Sequence, residues 1–530
     1  METTMGTPHR ILIADTLDPS GLSLFQEAGV EVHQLTAEER PRLAEILADF
    51  DALVVRSSTQ ATAELLRAGK RLKVVGRAGI GVDNVDVAAA TELGILVVNA
   101  PTANLMSATE HTFALLLSLA RRVPEADASM KAGEWNRKLT GVELQGKTLG
   151  IIGFGRIGQR VADRARGFEM KVLAYDPFLD AAAARRMEVE LLPLDDLLAR
   201  ADAVTLHVPF TEQTQNILDR ERLAKMKKGA LLVNCARGGV VDEGALLESL
   251  EAGHLGGAAL DVFAEEPPKD LRLVRHQRVV ATPHLGAQTR EAQERISIET
   301  AEMVLAALSG SLAVAAVNLP FRPTGAGSRL EPFMALGETL GFMASALLGG
   351  APQRLQVDVW GLDESLRAPV TVAVLKGALT PFLGAAINYV NAEKVAESRG
   401  IEVVRSTHSA RGDYPQLVDV TLSGGGRSVE LGGTLFGDRD PRVVLFEGYR
   451  LEFRPEGNLL VLENLDKPGV VGKIGTLLAQ HDVNIADIHL SRRGEEALAV
   501  LRVDQEPTPA LLEKLAALPE VKSARRVLLG

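Results

Sequence analysis

The chain has 530 residues, of which 46% are hydrophobic, and this is enough for three or four domains of about 100–200 residues each. Its net charge of −11, with no local basic patch, argues against a nucleic-acid-binding surface. The single cysteine, Cys235, excludes an intramolecular disulfide and favours a reducing compartment. The sequence has no signal-peptide core and no apolar run near the ~20 residues of a membrane helix. These features predict a soluble, cytoplasmic protein without nucleic-acid or membrane partners.

Strand-like runs alternate with amphipathic segments over the first hundred residues, which indicates a doubly wound parallel sheet. The predicted strands are 11–14, 30–35, 52–55, 72–75 and 95–98. A long apolar helix, Leu105–Arg121, follows. Because so apolar a helix must bury more than one face, it suggests a subunit interface.

The same alternation restarts at Leu149 and predicts a second doubly wound sheet. Its predicted strands are 149–152, 172–175, 203–206, 231–234, 257–260 and 279–281. A helix is predicted over 289–308, and the Pro/Gly-rich stretch 318–328 reads as a linker.

A Gly-x-Gly-x-x-Gly turn follows the first strand of the second sheet. Gly153 permits the tight turn, Gly155 lets the backbone approach a pyrophosphate, and Gly158 allows close packing of helix on strand. The next strand ends at Asp176, where a carboxylate can accept hydrogen bonds from a ribose diol. Asp176 would repel a 2′-phosphate and no arginine directly follows it, so the pattern predicts NAD rather than NADP.

Three side chains beyond strand ends predict hydride-transfer chemistry, which needs a base for the hydroxyl proton and a cation for the substrate carboxylate. His284 can act as the base, Glu266 can orient its ring, and Arg237 can grip the carboxylate. Taken singly, His284 could be a loop histidine bonded to a backbone carbonyl, Glu266 a solvated loop acid and Arg237 a surface arginine. Together they form a coherent dehydrogenase site.

The C-terminal part has a different character. Residues 330–453 combine helical segments with β-like runs at 355–359, 370–374, 417–422 and 428–433, and 454–457 reads as a junction. Residues 458–530 read as strand, helix, strand, strand, helix, strand. This order predicts a separate small α/β sandwich of the split βαβ type.

Five segments in order carry a resemblance to a known family: 153–158 with Asp176, 207–209, 234–239, 261–268 and 283–287. They resemble the D-isomer-specific 2-hydroxyacid dehydrogenase family. The resemblance implies that Arg237, Glu266 and His284 are catalytic. It also implies a wider set of NAD-binding residues, namely Gly153, Gly155, Arg156, Ile157, Gly158, Asp176, Cys235, Ala236, Arg237, Asp261, His284, Gly286 and Ala287.

The resemblance extends over the chain through segments 55–57, 76–84, 99–104, 388–392, 396–401, 466–469 and 483–485, which are similar to those of the long-form members of the family. It implies two Rossmann-like α/β domains, an α+β intervening domain and a βαββαβ ACT domain. The implied boundaries are 1–100 plus 285–318 for the substrate-binding domain, 101–284 for the NAD-binding domain, 319–455 for the intervening domain and 456–530 for the ACT domain.

The activity implied by the resemblance is NAD-dependent oxidation of D-3-phosphoglycerate to 3-phosphohydroxypyruvate, the first step of the phosphorylated pathway to L-serine. The implied substrate-binding residues are Arg56, Arg77, Gly79, Ile80, Asn104 and Arg137. Arg56 and Arg77 are expected in loops that face the cleft, and Arg137 in an arm that reaches a neighbouring subunit. Ile80 departs from the threonine of many relatives, so any contact of that hydroxyl is lost while the backbone amides remain.

The ACT-like tail implies an L-serine effector site at an interface of a homodimer or homotetramer. Its implied residues are Asn464, Asp466, Gly469 and Asn484. The tail could instead be only a dimerisation module, with Asp466 and Asn484 capping its helix ends.

Two other functions stay open. The chain could be another D-2-hydroxyacid dehydrogenase, such as a glyoxylate/hydroxypyruvate or 2-oxoglutarate reductase, because the chemistry at the reacting carbon would be the same. It could also be a dinucleotide-sensing binding protein on the same fold, although the complete Arg–Glu–His set argues against this. The sequence analysis assigns no metal site.

Overall fold

The computed structural model describes residues 8–311, 316–321, 329–409 and 414–529. Of the predicted linker, residues 322–328 lie outside this described part of the chain.

The first sheet is parallel and five-stranded, with helices on both faces. Its elements in chain order are β1 (Arg10–Ile13), α1 (Pro19–Glu27), β2 (Glu31–Gln34), α2 (Leu43–Leu47), β3 (Ala52–Val55), α3 (Ala63–Ala68), β4 (Val74–Arg77), α4 (Val87–Glu92) and β5 (Leu96–Asn99). The strand order is β2-β1-β3-β4-β5. The predicted strand 72–75 begins two residues too early, and Arg77, expected in a loop, is the last residue of β4.

The second sheet is parallel and seven-stranded, which confirms the second doubly wound unit. Its elements are α5 (Leu105–Arg121), α6 (Val123–Lys131), β6 (Thr148–Ile152), α7 (Arg156–Gly167), β7 (Lys171–Tyr175), α8 (Ala181–Arg186), β8 (Glu190–Leu191), α9 (Leu194–Arg200), β9 (Ala203–Leu206), α10 (Arg220–Lys225), β10 (Leu231–Asn234), α11 (Glu243–Glu251), β11 (Gly257–Leu260) and β12 (Val279–Ala281). The strand order β12-β11-β10-β9-β6-β7-β8 reverses direction at β6, next to the glycine-rich turn. Ligands bind at such switch points, beyond the carboxyl ends of the strands.

After the second sheet the chain returns to the first one. Helix α12 (Arg290–Leu308) packs on α1, β4 and β5 and buries Ile296 and Val304 in the core of the first sheet. Asn318 then accepts a hydrogen bond from the Val97 amide at 2.8 Å, in β5. The predicted linker therefore begins as a segment fixed to the edge of the first sheet.

The next unit is a six-stranded mixed sheet covered by helices. Its elements are α13 (Leu330–Leu348), β13 (Arg354–Trp360), α14 (Arg367–Leu383), α15 (Ala392–Ser398), β14 (Glu402–His408), β15 (Leu417–Gly424), β16 (Arg427–Phe436), β17 (Asp440–Phe446) and β18 (Tyr449–Phe453). The order is β14-β13-β15-β16-β17-β18, with only the β13–β14 pair parallel.

The predicted β-like run 370–374 is wrong, because it lies inside α14. All five of its residues are buried against α13 and the sheet, so the run is apolar on every side of the helix. Periodicity does not separate such a buried helix from a buried strand. Residues 364–386 also have the length and hydropathy of a membrane span, which is weak evidence for one because 56% of the apolar window is buried against protein.

The C-terminal unit has the predicted βαββαβ order. Its elements are β19 (Gly457–Leu465), α16 (Val470–Ala479), β20 (Ile485–Arg493), β21 (Glu496–Val503), α17 (Pro509–Ala516) and β22 (Val521–Leu529). The sheet is antiparallel, in the order β20-β21-β19-β22.

The C-terminal unit is the predicted small α/β sandwich, and its sheet also packs against the preceding unit. Leu460 and Leu462 of β19 face α16 and α17, whereas Leu459 and Val461 belong to the same core as Phe333 of α13. Both faces of the C-terminal sheet are therefore covered, one by its own helices and one by the preceding unit.

Candidate active site

A cleft of about 480 Å³ separates the first two sheet units at the carboxyl ends of their strands. Most of the predicted catalytic, substrate and cofactor residues line it. They are Arg56, Arg77, Gly79, Ile80, Asn104, Ile157, Cys235, Ala236, Arg237, Asp261, Glu266, His284, Gly286 and Ala287.

The predicted acid–base pair is assembled in this cleft. His284 Nδ1 lies 2.8 Å from Glu266 Oε2, and both side chains are partly exposed to the cleft. Their pairing leaves Nε2 as the ring nitrogen that can meet a substrate hydroxyl. Glu266 Oε1 accepts the Phe263 amide at 3.1 Å. Burial alone would raise the pKa of Glu266, but the hydrogen bonds from His284 and Phe263 outweigh it and lower that pKa.

Asp261 holds the loop that carries His284. Its carboxylate is buried and accepts the amides of Leu285 at 2.7 Å and Gly286 at 2.8 Å. The Thr282 hydroxyl and His111 Nε2 also contact it. Burial opposes ionisation of Asp261, and these hydrogen bonds nevertheless lower its pKa. A role for Asp261 as a direct cofactor ligand stays a prediction; the contacts of the structure make it an anchor for the catalytic loop.

Arg237 follows β10 and reaches across the cleft. Its Nε donates to Asp83 Oδ2 at 2.9 Å, and its Nη1 donates to the Ala236 carbonyl at 2.7 Å. Asp83 belongs to the loop after β4, so the contact joins the two sheet units. The guanidinium passes so close to Gly81 that a Cβ there would collide with Nη2.

A second cationic group lies in the wall of the first sheet. Burial, and then the charge of Arg237, lowers the pKa of Arg77 to about 10, and Arg56 acts in the same direction. Among the described residues Arg77 Nε and Asn104 Oδ1 are buried without a hydrogen-bond partner. Buried polar groups rarely stay unpaired, so the Arg77 guanidinium is available to an anion, whereas the Asn104 oxygen, an acceptor, is available to a hydrogen-bond donor.

The glycine-rich turn fits a dinucleotide. Gly153 has a φ of 89°, and a Cβ there would lie 2.6 Å from the His207 carbonyl oxygen. Nothing lies within 4 Å of the Cβ position of Gly155, which leaves open space above the turn. A Cβ at Gly158 would collide with the Gly153 carbonyl. Helix α7 begins here without a side-chain cap, so its first amides can face a pyrophosphate.

Asp176 lies at the end of β7, beside this turn. Its carboxylate accepts the amides of Phe154 at 2.8 Å and Phe178 at 2.9 Å, which fixes its orientation. A carboxylate has about four acceptor positions, so two remain for the hydroxyls of a ribose. The residues of the turn and Asp176 thus fit NAD.

Two further side chains at the cofactor end of the cleft are held in their neutral forms. Burial lowers the pKa of His207 to about 3, and its Nε2 pairs with the Thr205 hydroxyl. Burial raises the pKa of the Cys235 thiol above its usual range. The ligand atoms of His111, Cys235 and Asp261 lie within 4.8 Å of one another, a spacing that could hold a metal ion. Their mutual hydrogen bonds account for this cluster equally well.

Some of the predicted residues lie elsewhere. Arg137 is exposed next to Trp135, which is 77% exposed, and it does not line the cleft of its own chain. Asn464, Asp466 and Gly469 of the proposed effector site lie where β19 ends, whereas Asn484 precedes β20 at the opposite end of the C-terminal sheet, where β19 begins. These two separate parts of one chain form the effector region. Gly469 precedes α16 with a φ of 90°, and the helix has no side-chain cap. Asp466 and Asn484 therefore do not cap α16, while the alternative of a dimerisation module stays a prediction.

Within the effector region the polar groups mostly bind one another. Asn484 Nδ2 donates to Asp504 Oδ2 at 2.7 Å, and Asp466 pairs with Arg492 at 3.3 Å. Asn464 is 3% exposed, and its Oδ1 has no hydrogen-bond partner in the described part of the chain.

Several residues that support the site were not predicted from the sequence. Asp83 and His111 contact Arg237 and Asp261 respectively, and Asp15 binds the loop of Arg56 through its amide at 2.6 Å. Asp83 does lie in segment 76–84, which carried part of the resemblance, but no local pattern marks its partner 154 positions away.

Three family models match successive parts of the chain. Residues 113–286 match the NAD binding domain of D-isomer specific 2-hydroxyacid dehydrogenases, 329–447 match the D-3-phosphoglycerate dehydrogenase intervening domain, and 458–520 match the ACT domain. The fold and the cleft thus define an oxidoreductase that uses NAD.

Curated relatives match over nearly the full chain. A D-3-phosphoglycerate dehydrogenase from Methanocaldococcus jannaschii is 42% identical over 97% of this chain and 98% of its own. One from Bacillus subtilis is 38% identical over 98% of this chain and 99% of its own. The chain belongs to the D-3-phosphoglycerate dehydrogenase family within the D-isomer-specific 2-hydroxyacid dehydrogenases.

Solved structures match the first two sheet units. A Thermus thermophilus protein is 39% identical, with a TM-score of 0.54, and covers 58% of this chain and 99% of its own. A D-lactate dehydrogenase from Aquifex aeolicus, in complex with NAD and lactic acid, is 32% identical, with a TM-score of 0.52 over 57% of this chain and 96% of its own.

Proposed function

We propose that this protein oxidises D-3-phosphoglycerate to 3-phosphohydroxypyruvate in the cytoplasm, as the first step of the phosphorylated pathway to L-serine. The observation that carries the proposal is the presence of two separate cationic groups in one cleft. Arg237 lies beside the His284–Glu266 pair, and Arg56 and Arg77 lie in the wall of the first sheet. A substrate with an anion at each end matches this arrangement.

His284 removes the proton of the C2 hydroxyl through Nε2, while Glu266 holds the ring through Nδ1 and stabilises the positive charge that the ring gains. Arg237 binds the substrate carboxylate and polarises the oxygen at C2. NAD, when bound, accepts the hydride from C2. The turn 153–158 would hold the pyrophosphate of the dinucleotide, and Asp176 would hold a ribose diol.

The phosphate would bind at the end of the cleft formed by the first sheet. Arg77 and Arg56 supply the charge, and Asn104 with the backbone of Gly79 and Ile80 supplies hydrogen-bonding groups at the same wall. The Ile80 carbonyl is already bonded to Asn99 Nδ2 at 2.6 Å, so the loop is held in place before a substrate binds.

The test is NAD reduction with D-3-phosphoglycerate and with D-glycerate, which has the same carbon skeleton without the phosphate. We expect a strong preference for the phosphorylated acid. Arg77→Ala should lower the ratio of kcat/KM for D-3-phosphoglycerate to that for D-glycerate about 10–100-fold. The substitution deletes charge-assisted hydrogen bonds to the phosphate and leaves the groups that act at C2 intact. Arg137→Ala tests whether a neighbouring subunit completes the cleft.

An equal rate with both acids would contradict the proposed substrate. Faster reduction of glyoxylate, hydroxypyruvate or 2-oxoglutarate with NADH than oxidation of phosphoglycerate would favour another reductase of the family. If the unmodified protein binds NAD but oxidises or reduces none of these acids, the dinucleotide-sensing alternative would be favoured.

We further propose that L-serine regulates the enzyme at Asn464, Asp466, Gly469 and Asn484, at an interface within a homodimer or homotetramer. The ACT match and the unpartnered Oδ1 of buried Asn464 support this. Since the C-terminal sheet shares a core with α13, the proper test uses the full chain: calorimetric titration of serine, activity with and without serine, and light scattering to measure assembly.

We also propose the domain division set out from the sequence: 1–100 with 285–318, 101–284, 319–455 and 456–530. The first of these domains is supported by α12 and Asn318, which return to the first sheet.

A further inference from the structure

The two sides of the cleft are joined by one ion pair at the place where the substrate carboxylate would bind. Asp83 extends from the loop after β4, and Arg237 extends from the loop after β10. Asp83 Oδ2 accepts the Nε–H of Arg237 at 2.9 Å. The arginine side chain is 27% exposed and the aspartate 57% exposed, so the pair lies at the mouth of the cleft.

The pair fixes the direction of the Arg237 guanidinium. With Nε bonded to Asp83 and Nη1 bonded to the Ala236 carbonyl, two contacts on separate nitrogens define the plane of the group. Nη2 then lies against Gly81, where a Cβ would collide both with it and with the carboxylate. The glycine at this position is therefore required by the ion pair itself. The free N–H groups on Nη1 and Nη2 form the edge left for a substrate carboxylate.

The pair also offsets a local excess of positive charge. Arg77 and Arg237 repel each other across the cleft: Arg237 lowers the pKa of Arg77, and Asp83, which is paired with Arg237, acts on that pKa in the opposite direction. Without Asp83, two guanidiniums that must serve opposite ends of one substrate would be driven apart by their repulsion.

We propose that Asp83 is a positioning residue for the dehydrogenase reaction: it aligns Arg237 for the substrate carboxylate and ties the first sheet unit to the second across the cleft. This inference rests on the proposed role of Arg237. It predicts that Asp83 acts through Arg237 and on the substrate, with no direct action on NAD.

The experiment compares Asp83→Ala, Asp83→Asn and the control Glu92→Ala, which removes an exposed carboxylate from the neighbouring helix α4. The substrate is the 2-hydroxy acid that the unmodified enzyme uses best, so failure of phosphoglycerate as substrate would not be confused with failure of this inference. Asp83→Ala should lower kcat/KM for the acid about 10–100-fold, mainly through KM, and leave KM for NAD unchanged.

Two readouts separate positioning from a general structural role. Asp83→Asn keeps an acceptor for Nε and should recover part of the loss. In an Arg237→Ala background, Asp83→Ala should change kcat/KM by less than about twofold, because the interaction is already absent.

Three results would overturn the inference. The first is unchanged kinetics of Asp83→Ala, and the second is a repeat of its full effect in the Arg237→Ala background. The third is a lower KM for the acid, which would mean that Asp83 competes with the substrate for Arg237 instead of aligning it.

Discussion

The interdomain cleft and the effector region of the C-terminal sheet differ in how their polar groups are satisfied. In the cleft, three arginines line the walls, and Arg77 Nε is buried without a hydrogen-bond partner among the described residues. In the effector region, Asn484 binds Asp504 and Asp466 binds Arg492. The cleft of one chain is thus already arranged for an anion, whereas most polar groups of the effector region are satisfied by one another.

The difference indicates how each region would respond to a ligand. An anion entering the cleft gains interactions without breaking protein contacts, so binding there can be strong and local. A ligand at either part of the effector region must replace the Asn484–Asp504 or the Asp466–Arg492 contact, and only a second chain could bring both parts to one ligand. A weaker, graded effect is expected from such a site.

The largest expected effect comes from the acid–base residue of the cleft. His284 has a φ of 56°, a conformation that asparagine tolerates, so His284→Asn tests the imidazole with little backbone strain. We expect kcat to fall by ~10²–10⁴-fold, measured in the NAD-reduction assay. Glu266→Gln keeps an acceptor for His284 Nδ1, so its kcat should lie between those of His284→Asn and the unmodified enzyme. Near-normal turnover of His284→Asn would remove the histidine from the mechanism.

The next effect concerns the cofactor end of the cleft. Asp176→Ala should lower kcat/KM for NAD about 10–100-fold, because hydrogen bonds from the ribose diol to a charged group are lost. The same change should improve the use of NADP relative to NAD, since a like charge is removed. Asp180→Ala, an exposed acid four positions later that caps α8, is the matched control. Equal efficiency of the unmodified enzyme with both cofactors would contradict this role of Asp176.

A smaller effect, on stability, is expected at Asp261, which holds the loop of His284. Asp261→Asn should lower the free energy of unfolding by about 1–3 kcal/mol, because an amide cannot accept all the buried donors that face Asp261. The pKa of Asp261 is lowered on folding, so its ionised form contributes stability above the ordinary pKa of about 3.9, and this contribution is lost as the pH falls through the lower folded value.

Urea unfolding followed by circular dichroism at neutral and acid pH measures this difference. The gap between the unmodified chain and Asp261→Asn should narrow in acid. A gap that widens in acid would show that the sign, and therefore the account of Asp261, is wrong.

The smallest change in basal activity is expected at the effector region. Asn484→Ala should leave the rate without serine unaltered and abolish inhibition by serine, an effect whose coupling is typically ~1–3 kcal/mol. Asn458→Ala is a matched control, since Asn458 donates to the carbonyl of the same Asp504 at 3.2 Å. If serine inhibits both variants as it inhibits the unmodified enzyme, the effector site lies elsewhere. If serine binds without inhibiting, the region is a binding site but not a switch.

Much of the fold could be predicted because its signals are local. The strands β3, β9, β10, β11 and β12 match their predicted bounds, and α5 does so over 17 residues. In these elements hydrophobic period and turn residues agree. Residues 370–374 of the buried helix α14 were predicted as a strand because the helix is buried on several sides there. Strands β14, β17 and β18 were not predicted.

The residues of the site, like the elements of the fold, could be predicted where their signals are local. Arg237, Glu266 and His284 were identified because each follows a strand whose carboxyl end faces the cleft. The role of Asp261 as the anchor of the His284 loop was not foreseen, because its partners include His111, 150 positions earlier. Arg137 was expected in an arm that reaches a neighbouring subunit; it is exposed in its own chain, and its role in a neighbouring cleft stays a prediction.

The sequence by itself determined the strand–turn–helix that binds the dinucleotide, the order of the four units and the three residues proposed as catalytic. These follow from short-range patterns, in which a residue and its neighbours have the same structural role. Only the tertiary structure decided that Asp83 meets Arg237, that Arg77 is the last residue of a strand in the cleft wall, and that the C-terminal sheet shares a core with α13. Those contacts join residues far apart in the chain, and their energies depend on distance and burial that no local pattern encodes.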